Sequence, residues 1–135
     1  MKFTITGTGE ESKEWPEVEY TLVAETDDYK TTIQYWANAD EFKDFGLKIL
    51  KFPFEDKTDV VYQYGGPDDS GYFIKLTVHL VDMAGRTELE VETHDSEAHM
   101  RFTGIIEIAA LADLSHHIKI TDFSTPNSLT WAPKL

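Results

Sequence analysis

The sequence contains no cysteine and few basic residues, and both absences narrow what the protein can do. Without cysteine there is no thiol nucleophile, no thiolate ligand for zinc and no disulfide, which fits a reducing compartment. Lysine and arginine number 12 against 25 acidic residues, so the formal net charge is −13. Such a surface repels nucleic acid and anionic lipid and attracts basic proteins. We therefore expect a basic protein partner, no nucleic acid partner and no membrane partner.

Long apolar runs are absent as well. No run reaches the roughly 18 residues of a membrane-spanning helix, and residues 1–20 contain no apolar signal segment. We expect a cytoplasmic chain. With 135 residues and 41% hydrophobic content, the sequence is long enough to build one domain over residues 1–135 around its own core.

Motifs of catalysis and cofactor binding are also missing. Gly7-Thr8-Gly9 lacks both the lysine of a P-loop and the third glycine of a dinucleotide-binding fingerprint. No G-x-S-x-G, H-E-x-x-H or kinase signature occurs. We predict that the protein is not an enzyme and that it holds no metal or cofactor.

What the sequence does contain is a faint internal repeat at an offset of 69 residues. Residues 27–50 and 96–119 each alternate apolar and polar side chains and then change to a helical period. This is the pattern of a strand that leads into an amphipathic helix. The two helices are predicted to bury matching stripes, Phe42, Phe45 and Ile49 in the first and Leu111, Leu114 and Ile118 in the second.

Alternation elsewhere predicts antiparallel strands. A hairpin would pair Leu22 with Ile33, and a three-stranded meander over residues 71–106 would pair Val78 and then Phe102 with Leu89. We predict an α+β fold, a twisted antiparallel sheet of about six or seven strands with two helices packed on one face. The proline-containing tail after Ile120 would form either a last edge strand or a docked arm.

The uncovered face of this sheet would be polar. Our register places Lys75, Glu92 and His99 in one row, Thr77, Glu90 and Arg101 in a second, and His79, Glu88 and Thr103 in a third. Two interpretations stay open, a solvated face held by cross-strand ion pairs and a polar recognition platform. The acids that we expect to contact a partner are Glu88, Glu90, Glu92, Asp68 and Asp69.

Two other groups of residues give rival hypotheses. The segment from His94 to His99 holds two imidazoles and two carboxylates, which suit a divalent metal ion, although its spacing matches no known zinc signature. The alternative function is therefore a small-ligand or metal-binding module, in one version hydrolytic, centred on His94, Asp95 and His99. A third possibility is a structural subunit that dimerises through a sheet edge.

The tryptophans are predicted to divide between core and surface. We expect Trp36, at the junction of a strand and a helix, to be buried. Trp15 and Trp131 are expected to be partly exposed, either as interface residues beside acids or as covers of a sheet edge.

The meander and the second helix carry a resemblance to a known family. The residues that carry the resemblance run from Phe73 through Ala84-Gly85-Arg86 to Val91. They continue with Met100-Arg101-Phe102 and end with the apolar stripe of the second helix. A hairpin, a short helix, a long meander and a second helix in this order resemble the small bacterial immunity proteins of the WapI type. The resemblance implies a cytosolic protein that neutralises a contact-delivered toxin, often a basic nuclease, by tight binding without catalysis. We expect a monomer or a weak homodimer.

Overall fold

In a computed structural model, the protein consists of β-strands and α-helices, and their order in the first half of the chain recurs in the second half. The structure describes residues 1–66, 72–82, 84–94 and 99–133. The elements in chain order are β1 (Lys2–Gly7), β2 (Glu17–Glu25), β3 (Lys30–Asn38), α1 (Lys43–Lys51), β4 (Val60–Tyr64), β5 (Phe73–Leu80), β6 (Thr87–His94), β7 (His99–Ile106), α2 (Ile108–Ile120) and β8 (Asn127–Trp131). Neither helix in the described residues is long and apolar enough to cross a membrane.

The strands form two antiparallel sheets of four strands each. The first sheet has the order β3-β2-β1-β8 and the second has the order β4-β5-β6-β7. The α+β class is confirmed, but the prediction of one sheet with six or seven strands is wrong. Alternation shows which face of a strand is buried, but it does not show which distant strand lies beside it. The pairing of β8 with β1 joins the two ends of the chain and leaves no local signal.

The two halves of the chain have the same order of elements. β1-β2-β3-α1-β4 is followed by β5-β6-β7-α2-β8, which extends the repeat predicted from the strand and helix patterns. Each half places its last strand in the sheet of the other half, because β4 pairs with β5 and β8 pairs with β1. This exchange of strands accounts for two equal sheets where the sequence patterns indicated one.

The two helices pack against each other at equivalent positions of the repeat. The Ser115 hydroxyl on α2 donates a hydrogen bond of 2.8 Å to the carbonyl oxygen of Gly46 on α1. A Cβ atom on Gly46 would lie 2.9 Å from Cγ2 of Ile118, so only glycine allows the helices to approach this closely. The predicted stripes are confirmed as buried, whereas Leu50, which follows Ile49 on α1, is exposed.

The inner faces of the two sheets meet in one core. Tyr35 on β3 stacks on Tyr64 of β4, and Thr31, farther back on β3, shares a hydrogen bond of 2.8 Å with Thr93 of β6. β3 therefore crosses the strands of the second sheet instead of running along them. Phe42, just before α1, packs on the rings of Tyr20 and Tyr62 from the two sheets.

The predicted registers are correct at two hairpins and wrong at a third. Leu22 pairs with Ile33 and Val78 pairs with Leu89, as expected. At the β6–β7 hairpin, however, Phe102 pairs with Val91 and not with Leu89. A slip of two residues keeps every side chain on its own face, so the hydrophobic pattern cannot detect it.

Two of the three tryptophan predictions are wrong. Trp36 is 40% exposed, because it lies between the inward residues Tyr35 and Ala37 of β3. Trp131 is buried on the edge strand β8, where its indole N–H donates a hydrogen bond of 2.8 Å to the carbonyl oxygen of Ala110. The tail thus forms an edge strand, one of the two forms expected.

Candidate functional site

The outer face of the second sheet carries the three glutamates that the sequence marked for partner contact. Glu88, Glu90 and Glu92 alternate with buried residues along β6, so all three point away from the core. Each has a basic neighbour, and the pairs are Glu88 with His79 at 3.4 Å, Glu90 with Arg101 at 3.1 Å and Glu92 with His99 at 3.6 Å. The side chains pair as our rows predicted, although the last two pairs run diagonally in the observed register.

These ion pairs limit what the face offers to a partner. The three glutamate side chains are only 21–23% exposed, because neighbouring strands and their basic partners cover them. A binding partner would have to displace those bases before its own cations could approach. The geometry fits a solvated face held by cross-strand pairs, each worth roughly 0.2–1 kcal/mol.

A second polar surface lies where β1 passes into β2. The connecting loop, residues 8–16, exposes Glu10, Glu11 and Glu14 together with Trp15, which is 55% exposed. Lys13 is the loop's single base. In the described part of the chain none of these three glutamates forms an ion pair. The loop therefore presents carboxylates that are not ion-paired with any base in the described ranges of the chain.

Local hydrogen bonds give this loop a defined shape. The backbone N–H of Trp15 donates to Oγ of Ser12 at 2.9 Å, and the N–H of Ser12 donates to the carbonyl oxygen of Trp15 at 3.2 Å. At the loop's base, the N–H of Glu10 donates to the carbonyl oxygen of Ser124 at 3.0 Å. Serine in such a turn supplies the acceptor that the backbone needs. The indole of Trp15 is thus held outward beside the acids.

The strands beyond the loop continue this surface with more aromatic side chains. Glu19 on β2 lies opposite Trp36 on β3, and both line a cleft of about 560 Å³ that Tyr72 closes from the second sheet. Aromatic faces beside a carboxylate suit a lysine or arginine side chain. We call this region the acid-aromatic surface and define it by Glu10, Glu11, Glu14, Trp15, Glu17, Glu19, Trp36 and Tyr72.

A buried chain of hydroxyl groups connects the two sheets next to this surface. Tyr62 donates a hydrogen bond of 3.2 Å to Oε1 of Glu41, so the hydroxyl of Tyr35 must be the donor in its bond to Tyr62. Burial raises the pKa of both phenols, which stay protonated. Burial also raises the pKa of Glu41, and the hydrogen bond from Tyr62 offsets part of that rise. The chain joins β3 and β4 to the turn before α1.

The end of the β6–β7 hairpin brings together a third group. His94 lies opposite His99, and their rings stack at 3.8 Å between centroids. Glu92 lies beside them, so three potential metal ligands converge. Of the predicted set, Asp95 lies outside the described residues, as do Asp68 and Asp69. Glu92 was not a member of the predicted set.

The bases of the chain are also unevenly placed. Lys43, Lys48 and Lys51 lie on α1 and Lys119 lies on α2, where they surround the exposed apolar side chains of Leu47, Leu50 and Ile120. The helix pair is thus the more basic part of an acidic protein, and two of its lysines, Lys43 and Lys119, line the same cleft as Glu10 of the acid-aromatic surface.

Sequence reasoning placed the acids of the second sheet correctly but missed the acid-aromatic surface as a unit. The parity of β3 would have found Trp36, since Ile33 and Tyr35 on either side of Gln34 already point inward. No sequence signal brings Tyr72 into one cleft with Trp36, because Trp36 lies on β3 of the first sheet and Tyr72 directly precedes β5 of the second.

Comparisons with known proteins find a partial likeness of structure and no match of sequence. No protein-family model and no curated protein matches the chain. Among solved structures, it is similar to a chain of the CdiA-CT/CdiI toxin and immunity complex from Enterobacter cloacae, with a TM-score of 0.49 and 15% sequence identity over 85% of this chain and 97% of that chain. At this identity the likeness carries no conclusion about function, and the resemblance to WapI-type immunity proteins stays a prediction.

Proposed function

We propose that this protein is a non-enzymatic binding protein that engages a basic protein partner through the acid-aromatic surface. The observation that carries the proposal is that exposed acids, which form no ion pair with the residues that the structure describes, lie there beside an exposed tryptophan. Interface hot spots are rich in tryptophan and tyrosine, and charge complementarity accelerates association. A net charge of −13 extends the attraction over the whole molecule.

In its finer form, the proposal is that the partner is a toxin and that this chain is its cytoplasmic immunity protein. The resemblance to WapI-type immunity proteins supports this form, and an acidic surface suits a basic nuclease. Of the acids expected to contact a partner, Asp68 and Asp69 remain candidate contacts, whereas in this account Glu88, Glu90 and Glu92 stabilise the second sheet through their cross-strand pairs and contribute little to binding.

The test uses the protein encoded beside this chain in its genome. We expect its expression alone to arrest growth and co-expression of this chain to restore growth. With both proteins purified, raising the salt concentration from about 0.05 M to about 0.5 M should slow association roughly 10- to 100-fold, because screening shortens the reach of the charges. Growth arrest that co-expression does not relieve, or association indifferent to salt, would contradict the proposal.

A further inference from the structure

The end of the β6–β7 hairpin carries a set of side chains that partner binding does not require. Glu92 and His94 are two residues apart on β6 and therefore point to the same side. His99 is the cross-strand partner of His94. One ligand atom from each of the three residues lies within 4.8 Å of the other two.

These distances are close to those of a bound ion. A tetrahedral Zn²⁺ with ligands at about 2.0–2.1 Å holds neighbouring ligand atoms about 3.3–3.4 Å apart. Nε2 of His99 already lies 3.6 Å from Oε2 of Glu92. The imidazole of His94 is stacked on that of His99 with 29° between their planes. The two imidazoles would have to turn out of their stack, by rotation of their side chains, for their nitrogen lone pairs to converge with Glu92 on one centre.

The surroundings orient these ligands. The ring of Phe73 meets that of His94 edge to face at 5.5 Å, which restricts the rotation of the imidazole. Lys75 and Arg101 lie opposite Glu92 on the two neighbouring strands. Arg101, however, donates its hydrogen bond to Glu90 at 3.1 Å, so the carboxylate of Glu92 is paired with His99.

We propose that Glu92, His94 and His99 form a site for a divalent transition metal ion, with Zn²⁺ as the leading candidate. Two imidazoles and one carboxylate match the ligands that zinc and its neighbours prefer, whereas Mg²⁺ and Ca²⁺ need more oxygen ligands. Three protein ligands leave a fourth position for water or for a group from another molecule. The site is independent of the proposed function, and a Glu92–His99 ion pair alone would not need His94.

The test is isothermal titration of the metal-stripped full chain with ZnCl₂ at about pH 7. We expect one Zn²⁺ per chain, a weaker response to Mg²⁺, and a loss of affinity of at least roughly tenfold in His94→Ala, His99→Ala and Glu92→Gln, since even indirect disturbance of metal ligands costs 10- to 100-fold. Co²⁺ should give the visible absorption of a tetrahedral site in the parent but not in the three ligand variants.

Two matched variants serve as controls. His117→Ala removes a histidine that is paired with Asp113 at 3.4 Å on α2, and Glu88→Gln removes a glutamate that lies on the same face of β6 and is paired with His79. Both should keep the affinity of the parent. If His94→Ala fails to fold by circular dichroism, His94→Gln replaces it. Zinc affinity that is unchanged in the three ligand variants, or reduced equally in the controls, would overturn the site.

Discussion

The outer face of the second sheet and the β1–β2 loop of the acid-aromatic surface each carry three glutamates but arrange them differently. On the sheet, Glu88, Glu90 and Glu92 each lie beside a base and are mostly covered. In the β1–β2 loop, Glu10, Glu11 and Glu14 are exposed and form no ion pair with described residues. Acidic residues paired within the fold contribute to stability, and those left unpaired are available to a partner. We therefore expect the replacement of a glutamate to affect mainly stability on the sheet and mainly partner binding in the loop.

The largest expected effect is on binding and concerns Trp15. Trp15→Ala should weaken binding of the partner about 30-fold, the equivalent of roughly 2 kcal/mol, because an exposed tryptophan among acids has the character of a hot spot. Phe54→Ala is the matched control, since Phe54 is an exposed aromatic residue after α1 and outside the surface. Isothermal titration measures both variants. Equal losses of binding affinity in Trp15→Ala and Phe54→Ala would contradict this prediction, because the position of the aromatic residue would then not matter.

A smaller effect is expected on stability, and it concerns the paired face. Arg101→Met removes the partner of Glu90 and should lower the free energy of unfolding, because the cross-strand pair is lost. Lys13→Met in the loop removes an exposed base and should change it by less than about 0.5 kcal/mol. Urea denaturation compares the two variants. A larger loss of unfolding free energy for Lys13→Met than for Arg101→Met would contradict the proposed difference between the two surfaces.

The smallest effect concerns Glu41, an acid that belongs to neither surface. Burial raises its pKa in the folded protein, so the ionised form is disfavoured there. The protonated carboxyl group of Glu41 therefore contributes stability below the ordinary glutamate pKa of 4.5. This contribution is lost as the pH rises through the raised pKa of the folded protein. Glu41→Gln cannot ionise and still offers an oxygen to Tyr62.

We therefore expect the stability of Glu41→Gln, relative to the parent, to increase from about pH 4 to about pH 7. Urea denaturation at both pH values measures this difference. Glu19→Gln provides the control, with no such increase expected. A relative stability of Glu41→Gln that falls with pH would contradict the assignment of burial as the dominant influence on Glu41.

The sequence was sufficient for the local features of the fold. Alternation and turn residues predicted the pairing of Leu22 with Ile33, and helical periodicity predicted the burial of Leu111 and Leu114. The exchange of β4 and β8 between halves could not be predicted, because it depends on contacts between residues far apart in the chain. Two sheets instead of one follow from that exchange.

The candidate site was predictable only in its parts. The rows of charges on β5, β6 and β7 follow from alternation, and their ion pairs are present in the structure. The convergence of Glu92 with His94 and His99 depends on the observed register of the β6–β7 hairpin, in which the two histidines face each other. The cleft between Trp36 and Tyr72 depends on how the sheets cross.

The most direct measurement compares two triple variants in association with the purified partner at low ionic strength. Glu10→Gln/Glu11→Gln/Glu14→Gln and Glu88→Gln/Glu90→Gln/Glu92→Gln change the net charge equally, so a difference between them reports location alone. We predict that the loop triple slows association roughly tenfold or more, while the sheet triple associates at nearly the parental rate. A sheet triple that slows association as much as the loop triple, or more, would contradict the account.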